Sequence, residues 1–221
     1  MIVIGLTGSI AMGKSTAAKM LADMRGVVVH DSDAAVHRLY NDPEVIDLVR
    51  EYFPKSYDSK TGKIDKLKLR EELGADHEKW DTIEDILHPY VRASQQQFLQ
   101  EQQRLGTRFV VLDIPLLFET GAEERVDYTI CVSAPDYIQR QRVLQGRGMD
   151  EEDFEFRLSR QMPDDEKKRR ADFVVQTGVG LAETRKMLHN IVQRLTEKHY
   201  DTGVQKKAKS NENRGVPPYD L

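Results

Sequence analysis

The chain has 221 residues, of which 39% are hydrophobic and 32% charged, and its formal net charge is -4. The length suits one α/β domain with an inserted subdomain, and no apolar run approaches ~18 residues, so neither a membrane-spanning helix nor a signal peptide is expected. The slight acidic excess argues against a nucleic acid as a partner of the whole surface. Cys131, the single cysteine, excludes an intrachain disulfide and favours a reducing compartment, here the cytoplasm.

The first motif is formed by residues 8–15, which match the phosphate-binding pattern G-x-x-x-x-G-K-[ST]. It lies between a short apolar run, predicted to be a buried strand, and a stretch of helix-forming composition. Gly8 and Gly13 let backbone amides approach phosphates at the positive end of a helix. Lys14 supplies a cation for the terminal phosphates, and Ser15 offers a hydroxyl to Mg²⁺. The motif predicts a nucleoside triphosphate site.

The second predicted strand, residues 27–30, is followed by two acids, Asp31 and Asp33. Ligands of parallel α/β sheets bind beyond the carboxyl ends of the strands, so both acids are expected near the phosphate loop. Asp31 or Ser32 could instead cap the helix that follows. Two carboxylates beside bound phosphates would be costly without Mg²⁺ or a catalytic use, and we predict a functional role for Asp33.

Residues 34–105 show helical periodicity and almost no β-branched runs. The last of the predicted helices is expected to be interrupted near Pro89, because proline breaks or kinks a helix. His88 and Arg92 are four residues apart and can share one helix face, either at an acceptor site or as ordinary surface contacts. We predict a helical insertion that binds the acceptor.

A second nucleotide-binding signal is the Walker B pattern, in which four apolar residues precede Asp113. Its carboxylate would reach Mg²⁺ or a water bound to the ion at the same edge of the sheet. The segment after it, residues 114–119, is too apolar for an ordinary loop and is expected to line a pocket. Residues 127–133 and 171–175 predict the last two strands.

Residues 137–170 are rich in arginine and in acids, with a break at residues 146–148. One interpretation is a pair of solvated helices with weak ion pairs, each contributing ~0.3–0.5 kcal/mol. The other is a mobile lid that brings arginines over the triphosphate, and the preference for arginine over lysine favours it. A last amphipathic helix follows, and residues 201–221 are expected to form a flexible tail.

The alternation of strands and helices predicts an α/β, three-layer P-loop kinase fold with a five-stranded parallel sheet. The nucleotide-binding core is assigned to residues 1–33, 106–136 and 171–200. A GTPase would need an N-K-x-D motif and a protein kinase an H-R-D segment, and neither is present. The interpretations that remain are an ATP-dependent kinase of a nucleoside or small alcohol, and a non-catalytic ATP-binding module.

The chain resembles the dephospho-CoA kinase family over about residues 1–197. The resemblance implies transfer of a phosphate from ATP to the ribose 3′-hydroxyl of dephospho-CoA, which is the last step of coenzyme A synthesis. Apart from the resemblance, we expect a monomer or weak homo-oligomer that binds neither nucleic acid nor membrane. The matching motifs are residues 4–16, 31–33, 87–89 with Arg92, 112–119, 142–144 with Arg147, then Arg157, Gln161 and Met162, and finally 171–175.

Residue roles follow from the resemblance by matching position. Asp33 would accept the proton of the attacking hydroxyl. The phosphates of ATP would be held by Gly8, Ala11, Met12, Gly13, Lys14, Ser15 and Thr16. The acceptor would face His88, Arg92, Leu116, Leu117 and Phe118. Arg140 or Arg142, together with Arg147, would close over the phosphates and act with Lys14 in transfer.

The sequence departs from the family pattern at two places. The family often has Gly and Ser where Ala11 and Met12 stand here; alanine is small, and Met12 can point its side chain away. The family's last strand is usually followed by an asparagine near the adenine, where this chain has Gln176 and Thr177. Gln176 is therefore predicted to take the adenine contact.

Overall fold

The computed structural model describes residues 1–146 and 149–212. Its centre is a five-stranded sheet in the order β2-β5-β1-β6-β7, with all strands parallel. The predicted α/β fold with five parallel strands is confirmed. The strands are β1 (Ile2–Thr7), β2 (Val27–Asp31), β5 (Phe109–Asp113), β6 (Tyr128–Ser133) and β7 (Phe173–Gln176), and a separate short hairpin is formed by β3 (Tyr57–Asp58) and β4 (Lys63–Ile64).

Helices cover the sheet and build the parts that project from it. Short 3-10 helices span Pro54–Ser56 and Ala122–Arg125. The α-helices are α1 (Lys14–Ala22), α2 (Ser32–Leu39), α3 (Pro43–Tyr52), α4 (Lys66–Leu73), α5 (His77–Arg104), α6 (Asp136–Gly146), α7 (Glu151–Ser159), α8 (Asp164–Arg170) and α9 (Leu181–Glu212). None of the helices within the described ranges combines the length and the apolar character needed to cross a bilayer.

The main core lies between the sheet and the helices α1 and α9. Ile4, Leu6 and Ile130 from the central strands pack in one cluster with Leu21 of α1 and Leu188 of α9, and all five are fully buried. Burying each such side chain stabilises the fold by about 1.5–3 kcal/mol. The near-continuous apolar strands are typical of a parallel sheet covered on both faces, and the covered sheet holds the strand ends in fixed positions.

The helical insertion has a core of its own, which includes Val45, Val49, Ile83 and Leu87. The expected interruption near Pro89 is wrong: α5 is assigned as one helix of 28 residues with Pro89 inside it. Buried side chains anchor this helix on both sides of the proline, and their packing outweighs the loss of one backbone donor. The insertion therefore presents one long helix to the sheet edge.

The last helix is longer than expected. Its backbone continues to Glu212, whereas the sequence predicted a flexible tail from residue 201. Residues 213–221 of the predicted tail lie outside the described residues.

Candidate active site

The phosphate loop connects β1 to α1, and two glycines allow its shape. A Cβ on Gly8 would lie 2.5 Å from Val132 Cγ2 and 2.6 Å from the Val132 carbonyl oxygen. Gly13 has a φ of 93°, in the left-handed region, and caps the N-terminus of α1. The loop can therefore pack tightly on β6 while its amides open toward the helix terminus.

The Lys14 ammonium lies between two carboxylates. Its Nζ is 2.5 Å from Asp113 Oδ1 and 4.0 Å from Asp33 Oδ2. The strand register brings the two carboxylates together. Asp31 at the end of β2 pairs with Asp113 at the end of β5, and Asp33 follows Asp31 by two residues. Burial raises the pKa of the Asp113 carboxyl, and Lys14 opposes that shift.

The two acids after β2 have different positions. Asp31 caps α2, since its Oδ1 accepts a hydrogen bond of 2.8 Å from the Ala34 amide. Asp33 lies in the first turn of α2, and its side chain is 65% exposed. The helix cap thus uses one carboxylate and leaves the other directed toward Lys14.

Two cavities meet at Asp33. One, of about 640 Å³, surrounds the phosphate loop. The other, of about 820 Å³, extends into the helical insertion. The residues that line both are Asp33, Trp80, Glu84, Pro115 and Leu116. A donor in the first cavity and an acceptor in the second would have their reacting ends beside this shared wall.

The structure brings most of the predicted residues to these cavities. The phosphate-loop cavity is lined by Gly8, Ala11, Gly13, Lys14, Ser15, Thr16, Asp33 and Arg142. The second cavity is lined by Asp33, His88, Arg92 and Leu116. Arg147 lies outside the described residues. Met12 belongs to the main core, with only 1% of its surface exposed, so its side chain does point away from the phosphates.

Leu117 and Phe118, which were predicted to face an acceptor, do not line the second cavity. They are buried in a cluster with Val110 and Leu112 of β5. The segment after β5 turns back onto the sheet, and the apolar side chains that suggested a pocket pack in the protein interior instead.

Arg140 points toward the neighbouring helix α7. Its guanidinium pairs with Glu151 and Glu155 and lies over the Phe154 ring. The acids on α7 hold this arginine away from the phosphate-loop cavity, whose lining does not include it.

Arg142 connects helix α6 to the phosphate loop. Its guanidinium donates hydrogen bonds to the Ala11 carbonyl oxygen at 3.2 Å and to the Thr177 carbonyl oxygen at 2.8 Å. Ala11 has a φ of 59°, a left-handed conformation that costs a non-glycine residue about 1–2 kcal/mol. The hydrogen bond from Arg142 helps to hold that conformation.

Thr177, not Gln176, faces the phosphate-loop cavity after β7. The Thr177 hydroxyl donates to the Met12 carbonyl oxygen at 2.7 Å. The last strand alternates its side chains between faces, which turns the Gln176 side chain away from the position that Thr177 takes.

Trp80 and Glu84, on one face of α5, were not predicted as site residues from the sequence. Arg157 and Arg160 lie over the Trp80 ring, with centroid distances of 5.6 and 5.9 Å. Arg160 also pairs with Glu84 at 3.1 Å. The i,i+4 series of positions 80, 84, 88 and 92 could have revealed this face of α5, since all four residues line the second cavity.

The five-stranded parallel sheet, the phosphate loop between β1 and α1, and the helices that cover the sheet together define a P-loop kinase fold. A family model for dephospho-CoA kinase matches residues 2–183. The chain belongs to the dephospho-CoA kinase family.

Similar proteins agree with this assignment. The dephospho-CoA kinase of Rhizobium etli is 49% identical over 195 residues, which is 88% of this chain and 94% of that relative. The dephospho-CoA kinase of Agrobacterium fabrum is also 49% identical, covering 88% of this chain and 98% of that relative.

Solved structures extend the comparison to three dimensions. A crystal structure from Thermus thermophilus is 34% identical with a TM-score of 0.73, covering 87% of this chain and 96% of that one. The dephospho-CoA kinase of Campylobacter jejuni is 26% identical with a TM-score of 0.58, over the same shares of both chains. A gluconokinase from Sinorhizobium meliloti, 15% identical with a TM-score of 0.54, covers 91% of this chain and 97% of that one and shares the fold.

Proposed function

We propose that this protein transfers the terminal phosphate of ATP to the ribose 3′-hydroxyl of dephospho-CoA, giving coenzyme A and ADP. The observation that carries the proposal is the position of Asp33, which lines both cavities and lies 4.0 Å from the Lys14 ammonium. Phosphoryl transfer needs the two substrates in line and the phosphate charge stabilised, and this junction offers both.

The donor site consists of the loop amides, Lys14 and Arg142. The amides at the start of α1 point toward the cavity with the positive end of the helix behind them. Lys14 supplies a mobile cation, and Arg142 fixes the loop through the Ala11 carbonyl. These groups would bind the phosphates before reaction and stabilise the charge that develops on the equatorial oxygens.

The oxygen donors at the carboxyl-terminal edge of the sheet are of the kind that Mg²⁺ prefers. The exposed Ser15 lines the donor cavity, and the Asp113 carboxylate lies beside Lys14. Within the described residues, no group of three or more His, Cys, Asp and Glu side chains could hold a metal ion. The usual Mg²⁺ site of a kinase uses one or two protein ligands together with substrate phosphates, and Ser15 and Asp113 would be those ligands here. When bound, the ion would neutralise phosphate charge.

Asp33 would orient the acceptor hydroxyl and accept its proton as the new oxygen–phosphorus bond forms. His88, Arg92 and Leu116 line the cavity from which the acceptor would approach. The long face of α5 and the shared wall at Leu116 would exclude water from the reacting atoms, which limits hydrolysis of ATP.

The experiment that tests the proposal measures ADP release in the presence of Mg²⁺ and different acceptors. Dephospho-CoA should stimulate ADP release, and the product should be coenzyme A. Preference for another nucleoside or alcohol in the same panel would contradict the proposed acceptor. No stimulation by any acceptor would instead indicate a non-catalytic ATP-binding module.

A further inference from the structure

Two arginines line the acceptor cavity without a carboxylate partner. Of the cations that border this cavity, Arg70 pairs with Asp153, and Lys66 contacts a histidine ring. Among the side chains that the structure describes, in residues 1–146 and 149–199, neither Arg92 nor Arg125 has a carboxylate oxygen within the 4.0 Å of an ion pair. Arg92 donates one hydrogen bond to the His88 carbonyl oxygen, and Arg125 donates one to Gln95 Oε1. The positive charge of each guanidinium is not neutralised by a carboxylate, and its other N–H groups can bind an anion.

The two guanidiniums come from different elements and face the same space. Arg92 lies on α5, and Arg125 ends the 3-10 helix Ala122–Arg125. Arg125 is exposed overall, but partial desolvation of its guanidinium, and next the positive charge of Arg92, lowers its pKa. Glu124 and Asp85 also line the cavity, but neither forms an ion pair with these arginines among the described residues. An anion between the two guanidiniums would relieve their repulsion.

A buried glutamine connects Arg125 to the position of the reacting hydroxyl. Gln95 is only 3% exposed. Its Oε1 accepts a hydrogen bond of 3.4 Å from Arg125, and its Nε2 donates one of 3.1 Å to the Ser32 hydroxyl. Ser32 directly precedes Asp33, the proposed base. A chain of two hydrogen bonds through Gln95 therefore connects Arg125 to the residue beside that base.

We propose that Arg125 and Arg92 form a subsite for the diphosphate of the acceptor. This inference rests on the proposed function, because dephospho-CoA carries its diphosphate on the 5′ carbon of the ribose whose 3′-hydroxyl is phosphorylated. The diphosphate is thus one ribose ring away from the hydroxyl at Asp33. Two guanidinium forks match its oxygens and favour this acceptor over a nucleoside that lacks the diphosphate.

The test compares steady-state kinetics of the full chain with Arg125→Gln, Arg92→Gln and Arg125→Lys. Loss of one charge-assisted contact should raise the KM for dephospho-CoA by about 10- to 100-fold, with kcat and the KM for ATP within about twofold of the parent. Arg125→Lys keeps the charge but not the fork, and its KM should lie between those of the parent and Arg125→Gln. Arg104→Gln is the matched control, since this exposed arginine lies about 18 Å from Arg92 along the same helix.

Two results would overturn the inference. One is a KM for dephospho-CoA in Arg125→Gln within twofold of the parent value. The other is a parallel rise in the KM for ATP, which would show a general disturbance of the site. Both arginines are exposed, and Arg92→Gln is a second variant in case Arg125→Gln does not fold. Failure of the parent itself to phosphorylate dephospho-CoA would overturn the proposed function, a result separate from any difference between variants.

Discussion

Replacing Lys167 with methionine should destabilise the fold strongly, because it would leave a partly buried carboxylate without its cation. The Lys167 side chain is fully buried on α8, and its Nζ lies 2.8 Å from Glu119 Oε1 and 3.2 Å from the Pro115 carbonyl oxygen. Among the partners that the structure describes, Glu119 would keep its hydrogen bond from the Met162 amide. Removing one partner of a buried ion pair costs about 3–5 kcal/mol, a large part of the ~5–15 kcal/mol that holds a domain folded.

The measurement is urea unfolding at pH 7, with Lys168→Met as the matched control. Lys168 is the next residue, but its own side chain is 33% exposed and it also pairs with the exposed Asp165. Its second partner, Asp164, would keep a hydrogen bond from the Ser133 hydroxyl, so loss of Lys168 should cost at most about 1 kcal/mol. In the double variant with Glu119→Gln, the uncompensated charge is gone, and at least about 2 kcal/mol should return. Equal costs for Lys167→Met and Lys168→Met, or strict additivity in the double variant, would refute this reasoning.

Three further predictions concern the site. Lys14→Ala should lower kcat by ~100-fold or more at saturating ATP, the scale of losing one preorganised donor; near-normal turnover would remove Lys14 from the mechanism. Arg142→Gln should raise the KM for ATP at least about tenfold more than Arg140→Gln, because only Arg142 contacts the phosphate loop; equal effects would contradict the assignment. The raised pKa of Asp113 means that the folded state holds this proton to higher pH than the unfolded state, so stability falls as pH rises above the ordinary value of 3.8. The free energy of unfolding of Asp113→Asn, measured in urea, should therefore rise relative to that of the parent between pH 4 and pH 7. A difference between variant and parent that does not change with pH would contradict the burial of this carboxyl.

Features fixed by local chemistry were predictable from the sequence. The glycine spacing of residues 8–15 specifies a loop between strand and helix, and the apolar runs specify buried strands whose carboxyl ends meet at one edge. Asp33 was located from that rule alone, and the division of work between Asp31 and Asp33 follows from ordinary helix capping.

Features decided by tertiary packing were not predictable in the same way. Leu117 and Phe118 have the composition of a pocket wall, but the path of the chain after β5 places them in the core. Arg140 and Arg142 are two residues apart on one helix and therefore project in different directions, a difference of about 200° around the axis. Which of them faces the phosphate loop depends on how α6 docks. The hydrogen bond from Thr177 to the Met12 carbonyl joins segments that are 165 residues apart.

The most direct test of the account compares Asp33→Asn with Asp31→Asn. Asparagine still caps a helix, so Asp31→Asn should transfer phosphate to dephospho-CoA at close to the parent rate. Asp33→Asn should bind ATP with nearly unchanged affinity but lose about 10²- to 10⁴-fold in the rate of transfer, because the group that accepts the hydroxyl proton is gone. A parent-like rate in Asp33→Asn would contradict the claim that this carboxylate acts between the two substrates.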